Sequence, residues 1–80
     1  MATQNVSILQ YSSTTSFSNL TSLSILCTTS SVIVTSASSS GTGVTLTSGQ
    51  SLTLQASDGF TLPTITITIV SSGVFGVVSQ

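Results

Sequence analysis

From Thr64 to Ile69 the chain reads Thr-Ile-Thr-Ile-Thr-Ile, a strict alternation of hydroxyl and β-branched apolar side chains. Successive side chains of a strand point to opposite faces, so this period fits a half-buried strand and no helix. Ile65, Ile67 and Ile69 are expected to face a core, with Thr64, Thr66 and Thr68 facing outward. Pro63 stands just ahead of the run, a position a strand tolerates. Weaker versions of the pattern recur along the chain. Ser, Thr, Val and Ile are poor helix formers, and Glu, Lys and Arg do not occur at all. The expected fold class is therefore all-β, a small antiparallel β-sandwich or barrel of about seven short strands separated by Ser/Gly turns.

The individual runs are easy to mark. Val6 and Ile8 alternate with Ser7. Leu23, Ile25 and Cys27 alternate with Ser24 and Leu26, and Val32 and Val34 follow the turn-like Thr28-Thr29-Ser30-Ser31. Ser36 to Gly43 reads as a loop. Gly43–Thr47 and Ser51–Gln55 flank Ser48-Gly49-Gln50, whose glycine can take positive φ, and this arrangement reads as a hairpin. Ser57-Asp58-Gly59 is a further turn signal, and Ser71-Ser72-Gly73 turns the chain into Val74–Val78. Residues 1–19 are set apart as an N-terminal strand or arm, and residues 20–80 as the β-sandwich module.

Charge narrows the outcome further. Asp58 is the one acidic side chain, and Lys, Arg and His are absent from all 80 residues. Soluble sheets commonly protect their edges with Lys or with inward-pointing charges, and this chain has no Lys at all. An uncharged β-branched run without internal Pro is an aggregation hazard when exposed. Some edge is therefore expected to be capped by a second copy, which predicts a homo-oligomer. A thin core points the same way. The 34 Ser and Thr residues outnumber the large apolar ones, and the only aromatics are Tyr11, Phe17, Phe60 and Phe75. Chains this short commonly draw on disulfides, metals or oligomerisation for stability. Cys27 alone cannot form an intramolecular disulfide.

The same composition excludes whole classes of function. General acid–base catalysis needs titratable groups within reach of one another, and Asp58 stands alone in a turn sequence, where it reads as an Asx-type turn residue. Serines abound, but no His or Lys can activate one. The chain is expected not to be an enzyme, with no catalytic, cofactor-binding or metal residues and no cofactor. Direct nucleic-acid binding is excluded because phosphate contacts draw on Lys and Arg. Membrane insertion is not expected either: apolar runs stop at three or four residues, and the aromatic girdles of a membrane barrel are missing. No basic, apolar secretory leader opens the sequence, so synthesis in a cytoplasm is the expectation. Cys27 ends an alternating run and reads as a small buried hydrophobe. Asn5-Val6-Ser7 and Asn19-Leu20-Thr21 match the N-glycosylation pattern, which a Ser/Thr-rich chain produces readily by chance.

The stretch Gly43-Val44-Thr45-Leu46-Thr47-Ser48-Gly49-Gln50-Ser51-Leu52-Thr53-Leu54 resembles one found in small virion structural proteins of tailed bacteriophages. Leu62-Pro63-Thr64-Ile65-Thr66-Ile67 and Gly73-Val74-Phe75-Gly76-Val77-Val78 look like that family's last two strands. Leu23–Cys27 with Val32–Val34 is similar to its opening hairpin. The resemblance covers roughly residues 20–80. It implies a β-sandwich decoration, cement or tail-accessory protein that is made in the host cytoplasm and located in the virion. The implied partners are further copies of the chain and the major capsid protein or another virion protein. Ile65, Ile67, Ile69, Val44, Leu46, Leu52 and Leu54 are expected to carry folding, and the segment up to Leu20 to contact neighbours. A subunit of an extracellular filament or surface layer is the alternative. A carbohydrate-binding module is disfavoured, since Trp is absent and Tyr11 alone offers an amphipathic ring.

Overall fold

A computed structural model describes residues 6–38 and 43–80. The fold is all-β: six strands form one antiparallel sheet, and no helix occurs among the described residues. The strands are β1 (Ser7–Tyr11), β2 (Thr15–Phe17), β3 (Ser22–Ser36), β4 (Val44–Thr47), β5 (Ser51–Gln55) and β6 (Ile65–Ser79). The 15-residue β3 and β6 pair along their lengths at the centre of the sheet. β1 and then β2 run along the free side of β6, while β4 and then β5 run along the free side of β3. The sheet is thus four rows wide, and each outer row is one strand broken in the middle.

This arrangement corrects three readings of the sequence. Thr28–Ser31 and Ser71–Gly73 are not turns between short strands; they lie inside β3 and β6, each of which joins two of the expected runs, and β2 (Thr15–Phe17) is an additional strand, so six strands replace about seven. Ser48-Gly49-Gln50 does not close a hairpin, because β4 and β5 pair with β3 and not with each other. The antiparallel neighbour that follows β3 is β4, with Val34 opposite Val44. The loop read over Ser36–Gly43 begins later, since β3 continues to Ser36, and residues 39–42 lie outside the described part. Gly43 ends this connection at φ +79°, where an added Cβ would sit 2.4 Å from the Val34 carbonyl oxygen.

All four rows are interrupted at the same level, and there the sheet doubles over. Tyr11 lies opposite Phe75 and Phe17 opposite Ile65. On a straight strand those two positions of β6 would be about 30 Å apart. The rings of Tyr11 and Phe17 nevertheless meet edge to face with centroids 5.5 Å apart. The first leaf comprises β1, residues 75–79, residues 22–27 and β5. The second comprises β2, residues 65–70, residues 31–36 and β4. Leu23, Ile25, Cys27, Phe75 and Val77 of the first leaf share one buried cluster with Val32, Val34, Leu46, Ile65 and Ile67 of the second. The expected inward set is largely observed: Ile65 and Ile67 are buried and Ile69 packs against the cluster half-buried. Leu52 and Leu54 are also half-buried, but Val44 is exposed at the sheet margin.

The fold line explains much of the hydroxyl content. Pairing shifts register between Cys27 and Ser31, which strands backbone groups without ladder partners. Hydroxyls take their place. Thr28 Oγ1 donates to the Val74 carbonyl at 2.9 Å and Ser30 Oγ to the Val70 carbonyl at 3.1 Å. Ser48 Oγ donates to the Thr28 carbonyl at 3.0 Å, and Thr14 Oγ1 accepts from the Ile69 amide at 3.3 Å. Ser30, Ser71 and Ser72 take positive φ here, as does Gly49. At the opposite, open end, loops 18–21 and 56–64 each cross from one leaf to the other. The Leu62 amide donates to the Leu20 carbonyl at 2.6 Å and ties these loops together.

Candidate functional site: an apolar outer face beside an open edge

Doubling the sheet buries one of its faces and leaves each leaf an outer face. On the second leaf that face is clothed in hydroxyls: Ser16, Thr66 and Thr35 lie across one row of strands and Thr68 and Thr45 lie in the next, around Ile33. Ser16 and Thr66 hydrogen-bond at 3.0 Å. The first leaf differs. Ile8, Val78, Ser24 and Thr53 cross it in one row, and Gln10, Gly76, Leu26 and Ser51 in the next. Ile8 is 74% exposed, Leu26 45% and Val78 42%. Between them the surface sinks into a concavity of about 600 Å³. Gly76 lines it, and an added Cβ there would meet nothing nearer than the Leu9 carbonyl oxygen at 4.0 Å.

This concavity adjoins an unprotected edge. Among the described residues no strand pairs with the outer side of β1 or β2, nor with that of β4 or β5. β1 carries exposed apolar side chains on both of its faces: Ile8 points outward, and Leu9, on the inner side, is still 54% exposed. Neither Lys, Pro nor any charge blunts β1, and these are the usual protections of an exposed edge. The surface therefore offers apolar area together with strand backbone, and no ionic group at all. Its chemistry is suited to packing and strand pairing.

The residues singled out from sequence fall elsewhere. Cys27 is fully buried, as its place in the alternation suggested, with Sγ 3.5 Å from the Thr29 carbonyl oxygen. Asp58 lies exposed in a turn closed by the Phe60 amide on the Ser57 carbonyl at 2.9 Å, with Gly59 at φ +84°. Asn19 is exposed in the 18–21 loop at φ +59°. Asn5 lies outside the described residues. Tyr11, Phe17 and Phe75 belong to the core and its margin, and Phe60 stands apart on the surface. No group of three or more potential metal ligands occurs among the described residues.

Sequence reasoning missed the apolar outer face, although a signal for it exists. Ile8-Leu9, Ile25-Leu26 and Val77-Val78 are apolar doublets that break the alternation, so one member of each must face outward. Leu9, Val77 and Ile25 share the inner row, which leaves Ile8, Val78 and Leu26 on the outside. No protein-family model, curated protein or solved structure matches the chain.

Proposed function

We propose that the protein is a structural virion subunit, a capsid decoration, cement or tail-accessory protein of a tailed bacteriophage that acts as a homo-oligomer. The observation that carries this reading is the pairing of an uncharged open edge with an apolar outer face on one leaf only. Such a surface attaches by burying apolar area and by backbone hydrogen bonds, and many copies on one particle turn a weak contact into firm retention. The resemblance of residues 20–80 to small virion proteins supports the particular setting. With a single carboxylate and no base, the chain is read as non-enzymatic. A filament or surface-layer subunit is the second reading, and the exposed Asn19-Leu20-Thr21 sequon favours it.

Mass spectrometry of purified phage particles tests the first reading: the chain is expected to copurify with the capsid. Because the chain has no cationic side chain and a single acidic one, retention should hardly change as salt rises from about 0.1 M to about 1 M, where screening is near complete. Leu26→Lys, at the centre of the concavity, should weaken attachment about tenfold or more, because an unpaired charge is desolvated on contact. Its thermal stability should stay close to that of the unmodified protein. Shedding of the unmodified chain on a modest rise in salt would show that ionic contacts hold it.

A further inference from the structure

The strand pairings repeat inside the molecule. Cys27 opposite Phe75 matches Ile69 opposite Val32, Ile25 opposite Val77 matches Ile67 opposite Val34, and Leu23 opposite Ser79 matches Ile65 opposite Ser36. One two-fold rotation, with its axis between β3 and β6, exchanges all of these pairs. It carries the outer rows as well. Tyr11 opposite Phe75 goes to Leu46 opposite Val32, and Phe17 opposite Ile65 goes to Leu54 opposite Leu23. The chain is therefore two successive units, each a broken strand followed by a 15-residue strand. In neither unit does the broken strand pair with its own long strand. β1 and β2 lie on β6, and β4 and β5 lie on β3. The fold is an exchange of strands between two halves of one chain.

That architecture has a version between chains, and we infer that β1–β2 of one copy can leave its own β6 and occupy the β6 edge of a second copy, reciprocally, in a two-fold dimer. The partner is another molecule of this protein, and the inference rests on the reading of the protein as a self-assembling subunit. Three observations carry it. First, among the described residues β1–β2 connects to the other strands through the 18–21 segment, whereas β4–β5 lies between β3 and β6 in the chain and is tied to both. Second, the hinge is short and strained: Leu20 and Thr21 are pinned by backbone bonds to Leu62, Ala56 and Gln80, which leaves Ser18 and Asn19, and Asn19 sits at φ +59°. Short strained hinges favour swapping, because the open form relaxes them. Third, β1 and β2 pair with β6 only, so a copy's arm restores every lost pairing on its partner.

Ile8 and Val78 face each other across β1 and β6 on the exposed side, which provides the test. Ile8→Cys protein is mixed with Val78→Cys protein, incubated at high concentration under mild oxidation and resolved without reductant; Cys27 is buried and stays out of the reaction. Exchange yields a disulfide-linked heterodimer joining position 8 to position 78. Asn19→Val, which disfavours the left-handed conformation, should raise its yield several-fold, and Asn19→Gly should lower it. The Ile8→Cys/Val78→Cys double variant confirms that the pair closes. Links between two copies of position 8 without the heterodimer would mean that open edges dock without exchange. No intermolecular link, with the double variant closing only within single chains, would mean that the arm stays home. Either result overturns the exchange and leaves attachment to particles as a separate measurement.

Discussion

Phe75→Ala should remove a large share of the protein's stability. Phe75 is fully buried in the first leaf and stacks on Tyr11 with ring centroids 5.4 Å apart and planes at 22°. Tyr11 in turn meets Phe17 from the other leaf, so Phe75 supports the contact that holds the leaves together. Truncating a buried Phe costs about 3–5 kcal/mol. A chain of 80 residues has about 4–12 kcal/mol in total. At about 4–8 °C per kcal/mol for a domain of this size, the thermal midpoint should fall by more than about 12 °C. Thermal melts followed by circular dichroism would measure it. Phe60→Ala is the control: Phe60 is 70% exposed, and its loss should change stability by no more than about 0.5 kcal/mol. Comparable melts for the two variants would mean that the leaves do not close on Phe75.

Gly73→Val should be nearly as damaging, for a different reason. Gly73 lies on the fold line of β6, where a Cβ would stand 2.4 Å from the Ser31 carbonyl oxygen and 3.3 Å from Val32 Cγ1. The first obstacle is backbone, so no rotamer change relieves it. β3 and β6 would have to separate at the point where Thr28 and Ser30 tie them. Overpacking of this kind costs about 1–3 kcal/mol, occasionally more. Gly76→Val, three residues on, meets nothing nearer than the Leu9 carbonyl oxygen at 4.0 Å and should fold normally. Denaturant midpoints of the two variants should therefore differ clearly, with Gly73→Val the lower. Equal midpoints would remove the close approach at the fold line as a determinant of stability.

The two variants also mark where sequence was legible. Alternation from Ile65 to Ile69 and from Leu23 to Cys27 identified the strands and most of their inward side chains, because that period is local and follows directly from strand geometry. The joints were not legible. A short polar stretch such as Ser48-Gly49-Gln50 serves equally as a hairpin turn or as a break in a strand that continues along the same partner. The choice depends on which strand lies alongside, and β4 and β5 are laid along β3 only by the complete fold. Val44 differs from its expected core position for the same reason: its alternation is correct, but the sheet margin leaves it uncovered. The candidate surface was obscured differently. In the alternation Leu26 falls on the outward side despite being apolar, and Ile8 and Val78 are far from it in sequence yet close to it in the sheet.

The outermost pairing of β1, Ser7 opposite Ser79, joins positions near the two limits of the described chain. During synthesis β1 is made before the other five strands and β6 after them. At roughly 5–20 residues per second, β1 waits several seconds for the strand that will cover it. Throughout that interval Ile8 and Leu9 have no native partner within their own nascent chain, while completed β6 strands exist on molecules released from the same message. Under the strand exchange proposed above, the order of translation sets a kinetic competition between closing the fold within one chain and joining two. On that proposal the rate of initiation, which fixes how closely nascent chains follow one another, sets how often two chains exchange strands.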